Sequence, residues 1–128
     1  MIARPTGPAG RLIVALDVPG AARAAALAAQ VAPHAGLVKL GLELFCAEGP
    51  PAMAQVRAQA PVFLDLKLHD IPNTVAGAVR SLAPLGAAML TLHGGGGPAM
   101  IAAARQAAEA AGQARPMVLA VTVLTSMD

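Results

Sequence analysis

Aromatic side chains are nearly absent from this sequence of 128 residues, which holds two phenylalanines and neither tryptophan nor tyrosine. A core built from it must therefore be aliphatic, and 56% of the residues are hydrophobic. Modules that bind single-stranded nucleic acid stack bases on aromatic side chains. The scarcity of aromatic residues therefore argues against a nucleic-acid partner. The nine lysines and arginines are scattered rather than gathered in a basic stripe, which supports the same exclusion.

Cysteine and long apolar runs are also scarce. A single cysteine excludes an internal disulfide framework and fits a reducing compartment. No apolar run approaches the roughly 20 residues that a membrane span needs. The first ten residues are rich in proline and glycine and contain no apolar signal core. We therefore expect a cytoplasmic protein that has no membrane partner.

Short apolar runs alternate with alanine-rich stretches along the chain. Residues 1–10 are predicted to be a flexible lead-in, and residues 11–128 a single domain. Five strands are predicted, at residues 11–17, 36–41, 62–68, 87–93 and 117–124. Four helical segments are predicted between them, at residues 21–31, 42–60 (interrupted at 49–51), 72–85 and 98–111. Continuous apolar strands are typical of a parallel sheet covered by helices, as in a doubly wound sheet or part of a (β/α)8 barrel.

Few residues are charged, 12% of the chain, so their positions are informative. Lys39, Lys67, Asp17 and Asp65 lie at or near the carboxyl ends of predicted strands, and Asp70 follows shortly after the third. Active sites of parallel α/β folds gather at this edge of the sheet. Alternate residues of a strand point to the same face, so Asp65 and Lys67 should project together. We favour a common site over separate structural salt bridges.

The chemistry of this cluster depends on the lysine between two carboxylates. Carboxylates beside Lys67 keep its ammonium charged and fix its direction, which makes it a poor nucleophile but a well-aimed proton donor. Metal binding is the competing use of the carboxylates, although a cation would have to tolerate the lysine. The glycine run at residues 94–97 could hold a phosphate at a helix N-terminus. It lacks the spacing of known phosphate motifs, so we favour a tight turn.

Residues 65–74, with the sequence DLKLHDIPNT, resemble the D-x-K-x-x-D-I-P-N-T signature of the orotidine 5′-monophosphate decarboxylase family. Pieces at residues 15–17, 38–41 and 121–127 resemble the first, second and bacterial fifth strands of that family, in the same order. The resemblance implies an α/β fold of the (β/α)8 TIM-barrel family, here about the first five strands and four helices. It also implies a carboxy-lyase of pyrimidine biosynthesis that converts orotidine 5′-monophosphate (OMP) to uridine 5′-monophosphate (UMP) and CO2, without metal or organic cofactor.

The resemblance also implies roles for individual residues. Lys67 would donate a proton to pyrimidine C6 as CO2 leaves, and Asp65 would hold Lys67 and crowd the substrate carboxylate. Asp17 and Lys39 would bind ribose hydroxyls. Thr125, after the fifth strand, would contact the substrate.

A homodimer is implied as well, because Asp70, Ile71 and Thr74 are expected to reach into the partner subunit's site. Family members continue for three more strands, whose loops grip the substrate phosphate. We therefore expect this chain to be an N-terminal fragment or a truncated gene model.

Two alternatives to this function stay open. The first is a magnesium-dependent 3-keto-L-gulonate 6-phosphate decarboxylase of the same superfamily, which shares the D-x-K-x-x-D core. The I-P-N-T sequence at residues 71–74 argues against it. The second is a non-catalytic half-barrel that only associates with itself or with a complementary fragment.

Overall fold

The computed structural model describes residues 1–127 and contains one sheet of five strands. The strands are β1 (Ile13–Ala15), β2 (Leu37–Gly41), β3 (Val62–Leu68), β4 (Met89–His93) and β5 (Met117–Val121). All neighbouring pairs are parallel, and the strand order is β1-β2-β3-β4-β5. This order lacks the reversal that marks a doubly wound sheet and is the order of strands in the wall of a (β/α)8 barrel. The sheet is therefore of the barrel type.

Five α-helices follow the strands, where four helical segments were predicted. They are α1 (Ala21–Val31), α2 (Leu42–Glu48), α3 (Pro50–Arg57), α4 (Pro72–Leu82) and α5 (Gly97–Glu109). The second predicted segment is in fact two helices, because Gly49 adopts a φ of 65° and ends α2. Pro50 and Pro51 then begin α3, since proline suits the first turn of a helix but not its interior. Across residues 1–127, no helix combines the length and apolarity that a membrane crossing requires.

The helices pack on one face of the sheet and bury its aliphatic side chains. Strand residues on this face are at most 2% exposed, namely Val38, Leu40, Val62, Leu64, Leu90 and Leu92. They share one cluster with Met53, Val56, Val79 and Met100 of the helices. Full burial of each such side chain is worth about 1.5–3 kcal/mol. The opposite face, which includes Lys39, Phe63 and Met89, is only half-buried.

The first and last strands lie at the two edges of the sheet. Leu12 and Ile13 are exposed at the β1 edge, so apolar surface is open there, as expected for five strands of a barrel. Both edge strands are shorter than predicted, whereas β3 has its predicted bounds. Strands at an edge pair on one side only, which leaves their ends less firmly held than those of an inner strand.

The start of α1 is capped by a residue from a different helix. Gly20 precedes the helix, and the Ala21 N–H donates a hydrogen bond of 2.9 Å to Oε2 of Glu48, the last residue of α2. A carboxylate at a helix N-terminus satisfies an unpaired amide and meets the positive end of the helix dipole. This contact ties α1 to the end of α2 beside the carboxyl edge of the sheet.

Candidate active site

The carboxyl ends of β1, β2 and β3 frame a cleft of about 520 Å³. Four of the predicted site residues line it: Asp17, Lys39, Asp65 and Lys67. The parallel register explains their convergence, since Lys39 pairs with Ala15 of β1 and Gly41 pairs with Asp65 of β3. Residues far apart in sequence are thereby stacked along one edge of the sheet.

Asp65 is the centre of this cluster. Its two carboxylate oxygens each accept a hydrogen bond of 3.0 Å from Nζ of Lys67. Lys39 approaches from β2, with its Nζ 3.6 Å from Oδ2 of Asp65. The Thr91 hydroxyl on β4 donates to Oδ1 at 2.8 Å. The Asp65 side chain is only 12% exposed, so three groups from three strands hold it within a largely enclosed position.

Opposing effects act on the ionisation of Asp65. Burial raises the pKa of its carboxyl, because desolvation disfavours the charged form. Hydrogen bonds from Lys67 and Thr91, together with the charges of Lys67 and Lys39, lower that pKa by more. The net result is a pKa below the ordinary aspartate value, so Asp65 is ionised at neutral pH. The cluster of Lys39, Lys67 and Asp65 then carries two positive charges and one negative charge.

The backbone at Lys67 is unusual. Lys67 has a φ of 49° and is the only non-glycine residue with positive φ in the described chain. The register shifts at this point, because Leu64 pairs with Leu90 and Leu68 with Leu92. Four steps along β3 therefore face two steps along β4, which is an irregularity of the β-bulge type. A left-handed conformation at such a residue costs roughly 1–3 kcal/mol and is often found where a side chain is aimed for function.

Thr91 belongs to this cluster but was not among the predicted site residues. It lies within residues 87–93, an apolar run that predicted a buried strand, and nothing in one strand shows what faces it across the sheet. Its hydroxyl accepts a hydrogen bond of 2.9 Å from the backbone N–H of Lys67 in addition to the bond it donates to Asp65. The only signal in the sequence was a polar residue in the middle of an apolar strand.

The other predicted site residues lie outside the cleft. Asp70 is exposed, and its Oδ1 accepts a hydrogen bond of 2.6 Å from the N–H of Ile71. Ile71 is 66% exposed, and Thr74 is exposed on the first turn of α4. These three form a single surface segment that follows β3. Thr125 is exposed in the loop after β5.

The glycine run and the histidines complete this edge of the sheet. Gly94 to Gly96 form a 3₁₀ turn between β4 and α5, as the preferred interpretation of the run predicted. The rings of His69 and His93 stack with centroids 4.8 Å apart, and Nδ1 of His93 accepts a hydrogen bond from the Gly95 N–H. Between Met1 and Met127, no three side chains from His, Cys, Asp and Glu are grouped as a metal site requires.

The sheet is parallel and its strands follow barrel order, which defines this chain as part of a (β/α)8 barrel. An ammonium and a carboxylate are fixed at the carboxyl edge of that sheet. Comparison with protein families identifies which barrel family this is. Residues 10–128 match the model described as the Orotidine 5′-phosphate decarboxylase / HUMPS family, and the chain belongs to that family.

Similar proteins agree with this assignment. An orotidine 5′-phosphate decarboxylase from Anaeromyxobacter sp. (strain K) is 57% identical over 122 residues, which cover 94% of this chain and 52% of that protein. The crystal structure of the orotidine 5′-phosphate decarboxylase from Lactobacillus acidophilus matches with a TM-score of 0.79 at 40% identity, over 91% of this chain and 55% of that one. A conserved protein from Geobacillus kaustophilus matches with a TM-score of 0.82 at 45% identity, over 91% of this chain and 56% of that one. The chain therefore spans about half the length of the relatives it matches.

Proposed function

We propose that this chain carries the lysine–carboxylate part of an OMP decarboxylase active site and acts in the conversion of OMP to UMP and CO2. One observation carries the proposal: the Lys67 ammonium is held 3.0 Å from both oxygens of Asp65 in a cleft that Asp17 and Lys39 also line. The names of the relatives at 57% and 40% identity support the reaction.

In this reaction the bond between pyrimidine C6 and its carboxylate breaks, and the electron pair stays on C6. Lys67 donates a proton to C6, which forms the new C–H bond, and the resulting amine regains a proton from solvent. A fixed ammonium stabilises negative charge where it develops, and such preorganised electrostatic stabilisation is usually the largest single contribution to catalysis. Lys67 is suited to this role because its direction is set before the substrate arrives.

Asp65 has two roles in the proposal. It aims Lys67, and its negative charge lies near the place where the substrate carboxylate would sit. Repulsion between these two carboxylates would be relieved as neutral CO2 forms. The lowered pKa of Asp65 supports this role, because the residue then stays ionised beside a second anion. Lys39 and Lys67 bring two ammonium groups to a cleft that Asp17, Glu43 and Asp65 also line, and these ammonium groups are the positive charges that can attract an anionic substrate.

The remaining residues are proposed to bind substrate or partner. Asp17, which follows β1, and Lys39, on β2, would hold ribose hydroxyls in the cleft. Thr125 would contact the substrate from the loop after β5.

A second copy of the chain is proposed to receive the surface segment after β3. Asp70, Ile71 and Thr74 would enter the partner's site in a homodimer. The exposed Ile71 side chain supports this role, because an interface would remove this apolar group from water. The neighbouring carboxylate of Asp70 could then join the charged cluster of the partner.

The test is an absorbance assay of OMP decarboxylation. The chain is assayed alone and again with the C-terminal half of the Anaeromyxobacter relative, since the chain spans about half of such a protein. We expect activity with the added half, and Lys67→Ala should lower it by roughly 100- to 10,000-fold while circular dichroism shows an intact fold. Arg23→Ala is the matched control, because it removes a cation from the exposed face of α1.

Each other outcome has a definite meaning. Near-normal turnover by Lys67→Ala would overturn its role as proton donor. Loss of activity with a chelator would favour the magnesium-dependent relative. No turnover in either arrangement would favour a non-catalytic half-barrel.

A further inference from the structure

Thr91 is the one polar side chain that the core buries within residues 1–127, and it is only 2% exposed. It lies on the half-buried face of the sheet, directly beneath the charged cluster. A buried hydroxyl is unfavourable unless it is hydrogen-bonded, so its partners show what it does.

Both hydrogen bonds of the Thr91 hydroxyl have a fixed direction. The ionised carboxylate of Asp65 can only accept, so the hydroxyl donates its single proton to Oδ1 at 2.8 Å. The backbone N–H of Lys67 can only donate, so the hydroxyl accepts from it at 2.9 Å. One atom therefore joins the backbone of Lys67 to the side chain of Asp65.

The irregular register of β3 explains why a side chain is needed here. Between Leu64 and Leu68, β3 has two more residues than the facing part of β4. The N–H of Lys67 lies within this irregular segment and finds its acceptor in the Thr91 side chain. Lys67 is also the residue with a left-handed φ. The Thr91 hydroxyl therefore holds the backbone at the residue whose backbone conformation is least favourable.

We propose that Thr91 is a positioning residue, whose hydroxyl fixes the Lys67 backbone and one oxygen of Asp65 and thereby aims the Lys67 ammonium. The effect on turnover rests on the proposed function, whereas the effect on the geometry of Asp65 and Lys67 does not. Thr91 lies below the cluster and makes no substrate contact in this scheme, so its loss should affect kcat rather than KM.

The experiment compares Thr91→Val with Thr91→Ser. Valine keeps the branched shape without the hydroxyl, and serine keeps the hydroxyl without the methyl group. Decarboxylation is measured with the added C-terminal half. Thr91→Val should lower kcat by roughly 10- to 100-fold with little change in KM, because small displacements of a reacting group have effects of this size. Thr91→Ser should recover most of that loss.

Two further measurements do not require turnover. Hydrogen exchange of the Lys67 amide should accelerate by about tenfold in Thr91→Val and remain slow in Thr91→Ser. Titration of the Asp65 carboxyl by NMR should show a higher pKa in Thr91→Val, because one of the hydrogen bonds that lower it is lost. The acid limb of the pH profile of kcat/KM should move to higher pH in the same variant.

Val56→Ala controls for a general loss of stability, because Val56 is fully buried against the sheet away from the cleft. It should destabilise the fold without changing the Lys67 amide or the Asp65 titration. An unchanged Lys67 amide in Thr91→Val, or equal loss of kcat in the valine and serine variants, would overturn the proposal. Absence of turnover in the unmodified protein would refute the proposed function while leaving the exchange and titration tests in force.

If Thr91→Val does not fold, the unmodified chain still decides the question. Its Lys67 amide should exchange as slowly as that of Leu64 in the regular part of β3. Rapid exchange of the Lys67 amide would show that the Thr91 hydroxyl does not hold it.

Discussion

The coupling between Asp65 and Lys67 can be predicted from the structure and measured without any enzymatic activity. The perturbation is a double-mutant cycle made of Asp65→Asn, Lys67→Met and the two together. Asp65→Asn should be the more damaging single change, because it leaves Lys39 and Lys67 close together without the carboxylate between them. Lys67→Met leaves Asp65 with Lys39 and the Thr91 hydroxyl as partners.

The size of the coupling follows from distance and exposure. Two unit charges 3.0 Å apart attract by about 5–6 kcal/mol at an effective dielectric near 20. Solvent weakens this attraction because the Lys67 side chain is 38% exposed, and the desolvation of Asp65 opposes it further. We therefore expect a net coupling of about 1–2 kcal/mol, near the strength of a hydrogen bond to a charged group.

The assay is urea unfolding of the four proteins at neutral pH, followed by circular dichroism. The control cycle uses Arg105 and Glu109, which are 2.8 Å apart on the exposed face of α5 with side-chain exposures of 75% and 39%. The Arg105–Glu109 pair is closer than the Asp65–Lys67 pair but more exposed to solvent. Its coupling should therefore be weaker and should depend more strongly on salt. If the Asp65–Lys67 coupling does not exceed that of the control pair, the argument that the enclosed carboxylate organises this edge of the sheet is wrong.

Three further predictions concern acid stability, helix capping and association. Because the folded-state pKa of Asp65 is lowered, its ionised form stabilises the fold at neutral pH. This contribution should be lost as pH falls from about 5 through the lowered pKa. Urea midpoints measured at successive pH values should therefore fall less steeply in Asp65→Asn than in the unmodified protein. Glu48→Ala should lower the free energy of unfolding by about 0.5–2 kcal/mol, because it removes the acceptor of the Ala21 N–H, and an unchanged midpoint would exclude that cap as a stabilising contact. Ile71→Ser should weaken self-association in sedimentation equilibrium, whereas Val123→Ser, at a similarly exposed apolar residue, should not; equal effects would argue against the proposed interface.

The local pattern of the sequence predicted most of the elements. Apolar runs between proline and glycine marked all five strands, and the bounds of α1 and β3 match their predicted bounds. The alternation of side chains along a strand also predicted that Asp65 and Lys67 would project together, and their 3.0 Å contact shows it. These features depend on neighbours within a few residues, so a single stretch of sequence holds the information.

Residues from different strands could not be brought together in the same way. Lys39 joins the Asp65 cluster only because β2 pairs with β3 in a register that sets Gly41 beside Asp65. Thr91 joins it only because β3 and β4 pair out of step, which turns a strand hydroxyl into the partner of a backbone amide. Register and bulges are set by packing across the whole sheet, and no pattern within β3 or β4 alone reveals them.

By itself, then, the sequence determined a parallel α/β sheet of five strands, a charged pair at the end of β3 and a motif that resembles one family. The tertiary structure decided the barrel order of the strands, the entry of Lys39 and Thr91 into the cluster and the exposure of Asp70 and Ile71 outside the cleft. The physical reason is the range of the interactions. Propensity and side-chain alternation act between near neighbours in the chain, whereas hydrogen bonds and charge pairs act between atoms that only folding brings within about 4 Å.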